Sequence, residues 1–138
     1  MEYKYKKAMV IDDNQIDLYI AEMVMGTTGF AEKVVCVSSA KEALAYLKPL
    51  YENPEELPDL IFLDINMPEM SGFDFLNEYQ HLPENIRKKC IIMMLTTSLD
   101  EDDRTQAERN QFVRKFLNKP LDRDKLASIP LLYSTDPG

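Results

Sequence analysis

Five short apolar runs, each followed by a helix-periodic stretch, predict an α/β chain built as a doubly wound, five-stranded parallel sheet with helices on both faces. Two further observations point the same way. The run Leu60-Ile-Phe-Leu63 is apolar without a break, as a strand covered on both faces must be, and it stops on the carboxylate of Asp64. Four of the five runs end on reactive or polar side chains: Asp12-Asp13, Asp64, Thr96-Thr97 and Lys119. In a parallel sheet the carboxyl ends of all strands share one edge, the edge where open α/β sheets place their ligands.

The first run, Lys7-Ala-Met-Val-Ile11, ends on the acidic pair. A helix follows, with Ile16, Tyr19, Ile20, Met23, Val24 and Thr27 at three- and four-residue spacing as its predicted apolar stripe, and Gly26 and Gly29 as terminators. Val34-Val-Cys-Val37 is the second strand. Ser39-Ala-Lys-Glu42 has the capping-box pattern of a helix start, and Ala40, Ala43, Leu44 and Leu47 form that helix's buried side. Pro49, Pro54 and Pro58 punctuate a surface loop that leads to the third strand. After Asp64, Met67-Pro-Glu-Met-Ser-Gly72 is loop, then Phe73, Leu76 and Tyr79 begin a third helix that Pro83 ends. Cys90-Ile-Ile-Met-Met-Leu95 is the fourth strand. Ser98-Leu-Asp-Glu101 reads as a second capping box, opening a helix with a thin apolar face of Leu99 and Ala107, closed by Asn110 in a left-handed turn. Phe112-Val-Arg-Lys-Phe-Leu117 alternates in polarity, as an edge strand does, and a short helix from Asp122 to about Ser128 is cut off by Pro130. Residues 129–138 read as a tail, so the whole chain of 138 residues is one domain.

Composition narrows the function classes. A hydrophobic share of 45% and a charged share of 29% suit a soluble domain, and the net charge of −8 disfavours nucleic acid and anionic membranes. Lys4, Lys6 and Lys7 read as a solvated chain end. No run approaches the roughly 20 apolar residues of a membrane span, and the N-terminus has no signal-type apolar segment, which predicts a cytoplasmic protein. Cys36 and Cys90 lie inside strand-like runs and read as buried free thiols; His81 stands alone, as a surface residue.

At the shared edge, three carboxylates would push each other's pKa values upward. A hard divalent cation resolves that, and a sparse carboxylate site suits Mg²⁺ retaining some of its waters. Mg²⁺, the Lys119 ammonium and a threonine hydroxyl around Asp64 are what phosphoryl transfer needs, the cations neutralising the equatorial oxygens while the hydroxyl donates to one of them. No glycine-rich phosphate loop or dinucleotide fingerprint is present, which argues against a nucleotide as the donor.

In order and spacing, Ile11-Asp-Asp13, Asp64-Ile-Asn-Met-Pro68 with Ser71-Gly72, Leu95-Thr96 and Lys119-Pro120 resemble the receiver domain of two-component response regulators, over roughly residues 5–128. The resemblance implies a flavodoxin-like (βα)5 fold with strand order 2-1-3-4-5. It implies that Asp64 accepts a phosphoryl group from a phosphohistidine on a sensor histidine kinase or histidine phosphotransfer protein. Asp13, Asp64 and the carbonyl of Asn66 would hold Mg²⁺, with Asp12 acting through water. Thr96 would be the switch hydroxyl, Phe116 the aromatic that turns inward behind it, and Lys119 the partner of the phosphoryl oxygens. Thr97 would shape phosphate access, Asn66 and Ser98 would tune the lifetime of the acyl phosphate, and the bond before Pro120 would be cis. Two departures stand out: a short final helix, and Asn110 where the family commonly has Gly. With no DNA-binding or enzymatic output segment in sight, the expected mode is a stand-alone receiver, monomeric or dimerising on phosphorylation, that acts on a downstream protein rather than turning over substrate. Two alternatives stay open: a haloacid-dehalogenase-type phosphatase, whose second acid would stand where Asn66 does, and a binding module that keeps the fold without phosphorylation.

Overall fold

A computed structural model describes residues 2–129. The strands are β1 (Tyr5–Ile11), β2 (Ala31–Val37), β3 (Leu60–Leu63), β4 (Ile91–Thr96) and β5 (Val113–Asn118), all parallel, in the order β2-β1-β3-β4-β5. This is the predicted flavodoxin-like order. The helices are α1 (Gln15–Thr27), α2 (Ala40–Leu47), α3 (Gly72–Tyr79), α4 (Glu84–Lys89), α5 (Glu101–Arg109) and α6 (Arg123–Ala127).

Alternation along the strands sorts their side chains into two cores. Met9, Ile11, Ile61, Leu63, Ile92 and Met94 face one side, where α2, α3, α4 and α5 bring Leu44, Leu47, Phe75, Tyr79, Ile86 and Ala107. Ala8, Val10, Leu60, Phe62, Met93 and Leu95 face the other, where α1 and α6 bring Leu18, Ala21, Met25 and Leu126. All four residues of β3 have no exposure at all. At about 1.5–3 kcal/mol per buried large aliphatic or aromatic side chain, this strand is the axis of both cores.

Several local expectations are corrected. The stripe predicted for α1 faces outward: Ile16, Tyr19 and Met23 are 70%, 65% and 45% exposed, while Leu18, Ala21 and Met25 are the buried face. Thr27 is exposed as well, and Ile20 and Val24 are half-buried. Both sets have helical spacing, and the sheet, not the periodicity, selects between them. Gly26 lies inside α1; Gly29, at φ 71°, is the residue in the left-handed region after it. α5 is capped by Asp100, whose side chain accepts the Asp102 N–H, and not by Ser98; Leu99 is 87% exposed, leaving Ala107 as the only buried residue of α5. Asn110 is extended (φ −77°, ψ 127°), its side chain accepting the Phe112 N–H in an Asx turn. Pro83 caps α4, a helix the sequence pattern did not announce. The proline loop holds two 3-10 turns, Lys48–Glu52 and Pro54–Glu56, each with a proline in its first two positions. Lys7 is not a solvated chain end: its ammonium donates to the Glu56 carbonyl at 2.7 Å and to the Tyr46 hydroxyl at 3.2 Å. Ile129, placed in the expected tail, is fully buried in the α1–α6 core, so the packed unit runs one residue past the predicted limit. Pro130 and the rest of that tail lie outside the described residues.

Among the described residues no helix is long and apolar enough to cross a membrane. Cys36 is half-buried and Cys90 buried, both free, with burial pushing their thiols up to about 11 and about 12. His81 is exposed.

Candidate functional site

The carboxyl edge of the sheet collects the residues singled out above. The Asp64 N–H donates to the Ile11 carbonyl at 3.0 Å and the Asp12 N–H to the Val37 carbonyl at 3.1 Å, so ladder hydrogen bonds set the height of both carboxylates. Asp12 and Asp64 are buried, 2% and 5% exposed, while Asp13 is exposed. Carboxylate oxygens of the three lie within 4.8 Å of one another.

Lys119, at the end of β5, reaches across to them with its side chain only 7% exposed. Its ammonium stands 2.5 Å from Asp12 Oδ2, 2.9 Å from Asp17 Oδ2 and 3.4 Å from Asp64 Oδ2. Burial works against that charge, but the hydrogen bonds it donates to Asp12 and Asp17 and the field of Asp64 outweigh it, and the ammonium is held well above the usual lysine range. Burial is also the main influence on Asp64, pushing its carboxyl up to about 6. Lys119 opposes the shift, Asp12 adds to it, and the Asn66 backbone N–H donates to the carboxylate and lowers it. Asp17 escaped the sequence reading. An acid in the first turn of a helix passes for a dipole complement, and only the crossing from α1 to β5 brings it onto Lys119.

Thr96 is fully buried, its hydroxyl oxygen accepting the Ser98 N–H at 3.1 Å. Ser98 in turn donates its hydroxyl to Asp103 at 2.6 Å, and its carbonyl accepts from the Asn118 amide at 3.3 Å. A short polar chain thus runs from Thr96 to α5. Thr97 and Asn66 are exposed. Phe116 is half-buried, with the Arg104 guanidinium 4.9 Å from its ring centre. The Lys119–Pro120 bond is cis, and the Lys119 N–H donates to the Thr96 carbonyl at 2.9 Å.

The loop after Asp64 is held by Ser71 and Gly72. Ser71 and Asp74 form a reciprocal capping box at the start of α3, and the Gly72 N–H donates to the Ile65 carbonyl at 2.8 Å. A Cβ at Gly72 would fall 2.4 Å from the Asp64 carbonyl oxygen. Glu69 takes φ 68° at the loop tip, where the Met70 N–H closes a γ-turn onto the Pro68 carbonyl at 2.7 Å.

The donor set fits a hard cation. It brings three carboxylates together, one of them exposed so that water can complete the shell, and a cation there would offset the repulsion that Asp12 adds to the buried Asp64.

Comparison with known proteins agrees with this geometry. "Histidine kinase 2" of Arabidopsis thaliana is 39% identical over 84 residues, which are 61% of this chain and 6% of the kinase. The chain spans about half or less of the curated relatives it first matches. A two-component response regulator from Cytophaga hutchinsonii superposes with a TM-score of 0.82 at 27% identity, covering 92% of this chain and 93% of that one. The phosphorylated cyanobacterial phytochrome response regulator RcpA gives 0.72 at 28% identity, over 88% and 86%. The family model described as the response regulator receiver domain matches residues 8–129. The chain therefore belongs to the response regulator receiver family, the phosphorylation-dependent switch domains of two-component signalling.

Proposed function

We propose that Asp64 is the phosphoacceptor of this receiver, charged by a phosphohistidine on a histidine kinase or phosphotransfer protein, and that its phosphorylation changes the chain's affinity for a downstream protein. The observation that carries this reading is the convergence of three carboxylates and one ammonium on a buried strand end, with Lys119 already 3.4 Å from Asp64. An Asp64 oxygen would attack phosphorus, and the leaving imidazole would depart with the electron pair of the broken N–P bond. Asp12, Asp13, Asp64 and the Asn66 carbonyl would hold Mg²⁺, which when bound neutralises phosphoryl oxygens. Lys119 would neutralise another oxygen, and its short tether through the Thr96 carbonyl keeps it over the site. Thr96 would release the Ser98 N–H and donate its own hydroxyl to the phosphoryl group, disturbing the Ser98–Asp103 link to α5. Phe116 would follow by leaving Arg104. Asn66, two residues after the acceptor, and Thr97 and Ser98, just after the end of β4, would govern water's access to the acyl phosphate.

The test is incubation with acetyl phosphate and Mg²⁺, followed by intact-mass measurement. One phosphoryl group should be gained by the native chain and none by Asp64→Asn. Labelling of that variant to the same extent would remove the assignment.

A further inference from the structure

We propose that Asp17 is a positioning residue for this transfer, holding the Lys119 ammonium back from Asp64 until the phosphoryl group arrives. The proposal rests on Asp64 being the acceptor.

Three carboxylates share one ammonium, and the acceptor has the weakest hold: 2.5 Å to Asp12, 2.9 Å to Asp17, 3.4 Å to Asp64. Asp17 belongs to a different element from the others. It stands in the first turn of α1, fixed there because the Asn14 side chain accepts its N–H at 3.2 Å and because the next residue, Leu18, is buried against the sheet. It lies outside the Asp12–Asp13–Asp64 group. A cation in that group would draw on Asp12 and leave Asp17 attached to Lys119. With Lys119 at 7% and Asp17 at 28% side-chain exposure, water screens the pair from one side only.

With acetyl phosphate as donor, an Asp64 oxygen forms the new O–P bond as the bond from phosphorus to the acetate oxygen breaks, and acetate leaves with the electron pair. The incoming charge draws Lys119 onto the phosphoryl oxygens, so the ammonium must exchange the Asp17 carboxylate for them. That exchange is a cost met in the transition state, and removing the Asp17 charge removes it.

The experiment is a double-mutant cycle on the full chain, following the rate of labelling by acetyl phosphate with Mg²⁺ in the native protein, Asp17→Asn, Lys119→Gln and the double variant. Asp17→Asn should label about three- to tenfold faster, the range expected for loss of a partly screened charged hydrogen bond. The gain should vanish when Lys119 is already Gln. An equal gain in both backgrounds would make Asp17 a through-space charge and overturn the proposal, as would no gain in the native background. Independently, the Lys119 ¹⁵Nζ resonance of the unphosphorylated protein should move in Asp17→Asn and return toward its native position in Asp17→Glu. An unmoved resonance also overturns the proposal. Asp17→Ser serves the same cycle if the Asn variant folds poorly. Failure of the native chain to label, or labelling of Asp64→Asn, would instead remove the acceptor assignment on which the proposal rests.

Discussion

At the scale of single residues, Asp64 links stability to pH in a direction opposite to that of an ordinary surface carboxylate. Its folded pKa, about 6, lies above the ordinary aspartate value of 3.8, chiefly because burial penalises the charge. Between those values the folded chain binds more protons than the unfolded one, so the contribution is present at low pH and lost as pH rises through about 6. In EDTA, urea denaturation should show Asp64→Asn gaining on the native chain between about pH 4 and pH 7, ending ahead by about 2–3 kcal/mol. A pH-independent difference would contradict this. Two glycines give opposite expectations. At Gly72 an added Cβ meets the backbone of Asp64 at 2.4 Å and of Ile65 at 3.0 Å, and neither can yield cheaply. Gly72→Ala should cost about 2–4 kcal/mol and slow acetyl phosphate labelling by displacing Asp64. Gly26, inside α1 with nothing within 4 Å of such a Cβ, should accept Ala with a gain of about 0.5–1 kcal/mol in the same denaturation assay.

At the scale of elements, α5 is the weakest-held helix of ordinary length. It buries Ala107 alone, and its ties to the site are polar: Ser98 to Asp103, and Arg104 over Phe116. Few buried apolar contacts mean low local opening energy, so its amides should exchange early, and the phosphoryl mimic beryllofluoride with Mg²⁺ should change that exchange selectively. Uniform exchange across α2, α3 and α5, indifferent to the mimic, would count against a switch located there. The same thinness explains what was hard to read in the sequence. Strands were legible because apolar runs such as Leu60-Ile-Phe-Leu63 admit one interpretation, and the strand ends carried the site with them. The face of α1 was not. Ile16, Tyr19 and Met23 compete with Leu18, Ala21 and Met25 for the same periodicity, and only docking on the sheet chooses. With that choice went Asp17, whose meeting with Lys119 spans 102 residues of sequence and has no local signature. The displaced cap of α5 is a local degeneracy of the same kind, since Ser98 and Asp100 both offer a capping oxygen: Ser98 accepts the Asp100 N–H, and Asp100 accepts the Asp102 N–H that opens the helix.

At the scale of the whole molecule, the two cores and the acidic edge pull against each other. The net charge of −8 and the placement of Asp12 and Asp64 below 6% exposure store repulsion on the strand ends that both cores depend on, because β1 and β3 carry the acids and also lie at the centre of the sheet. A divalent cation at that edge should therefore stabilise the entire domain and not the loops alone. At about 100 times its dissociation constant, Mg²⁺ would add about 2.7 kcal/mol, or roughly 8–10 °C in melting temperature for a domain of this size. Sodium chloride at matched ionic strength screens the diffuse charge but cannot ligate three converging oxygens, so its effect should be distinctly smaller. Asp13→Asn keeps the fold's buried residues and removes the exposed ligand, and should lose most of the Mg²⁺ increment while retaining the salt response. If Mg²⁺ and sodium chloride shifted the melting curve equally, or if Asp13→Asn kept the whole Mg²⁺ increment, the carboxylate cluster would be a consequence of strand grammar and not a cation site.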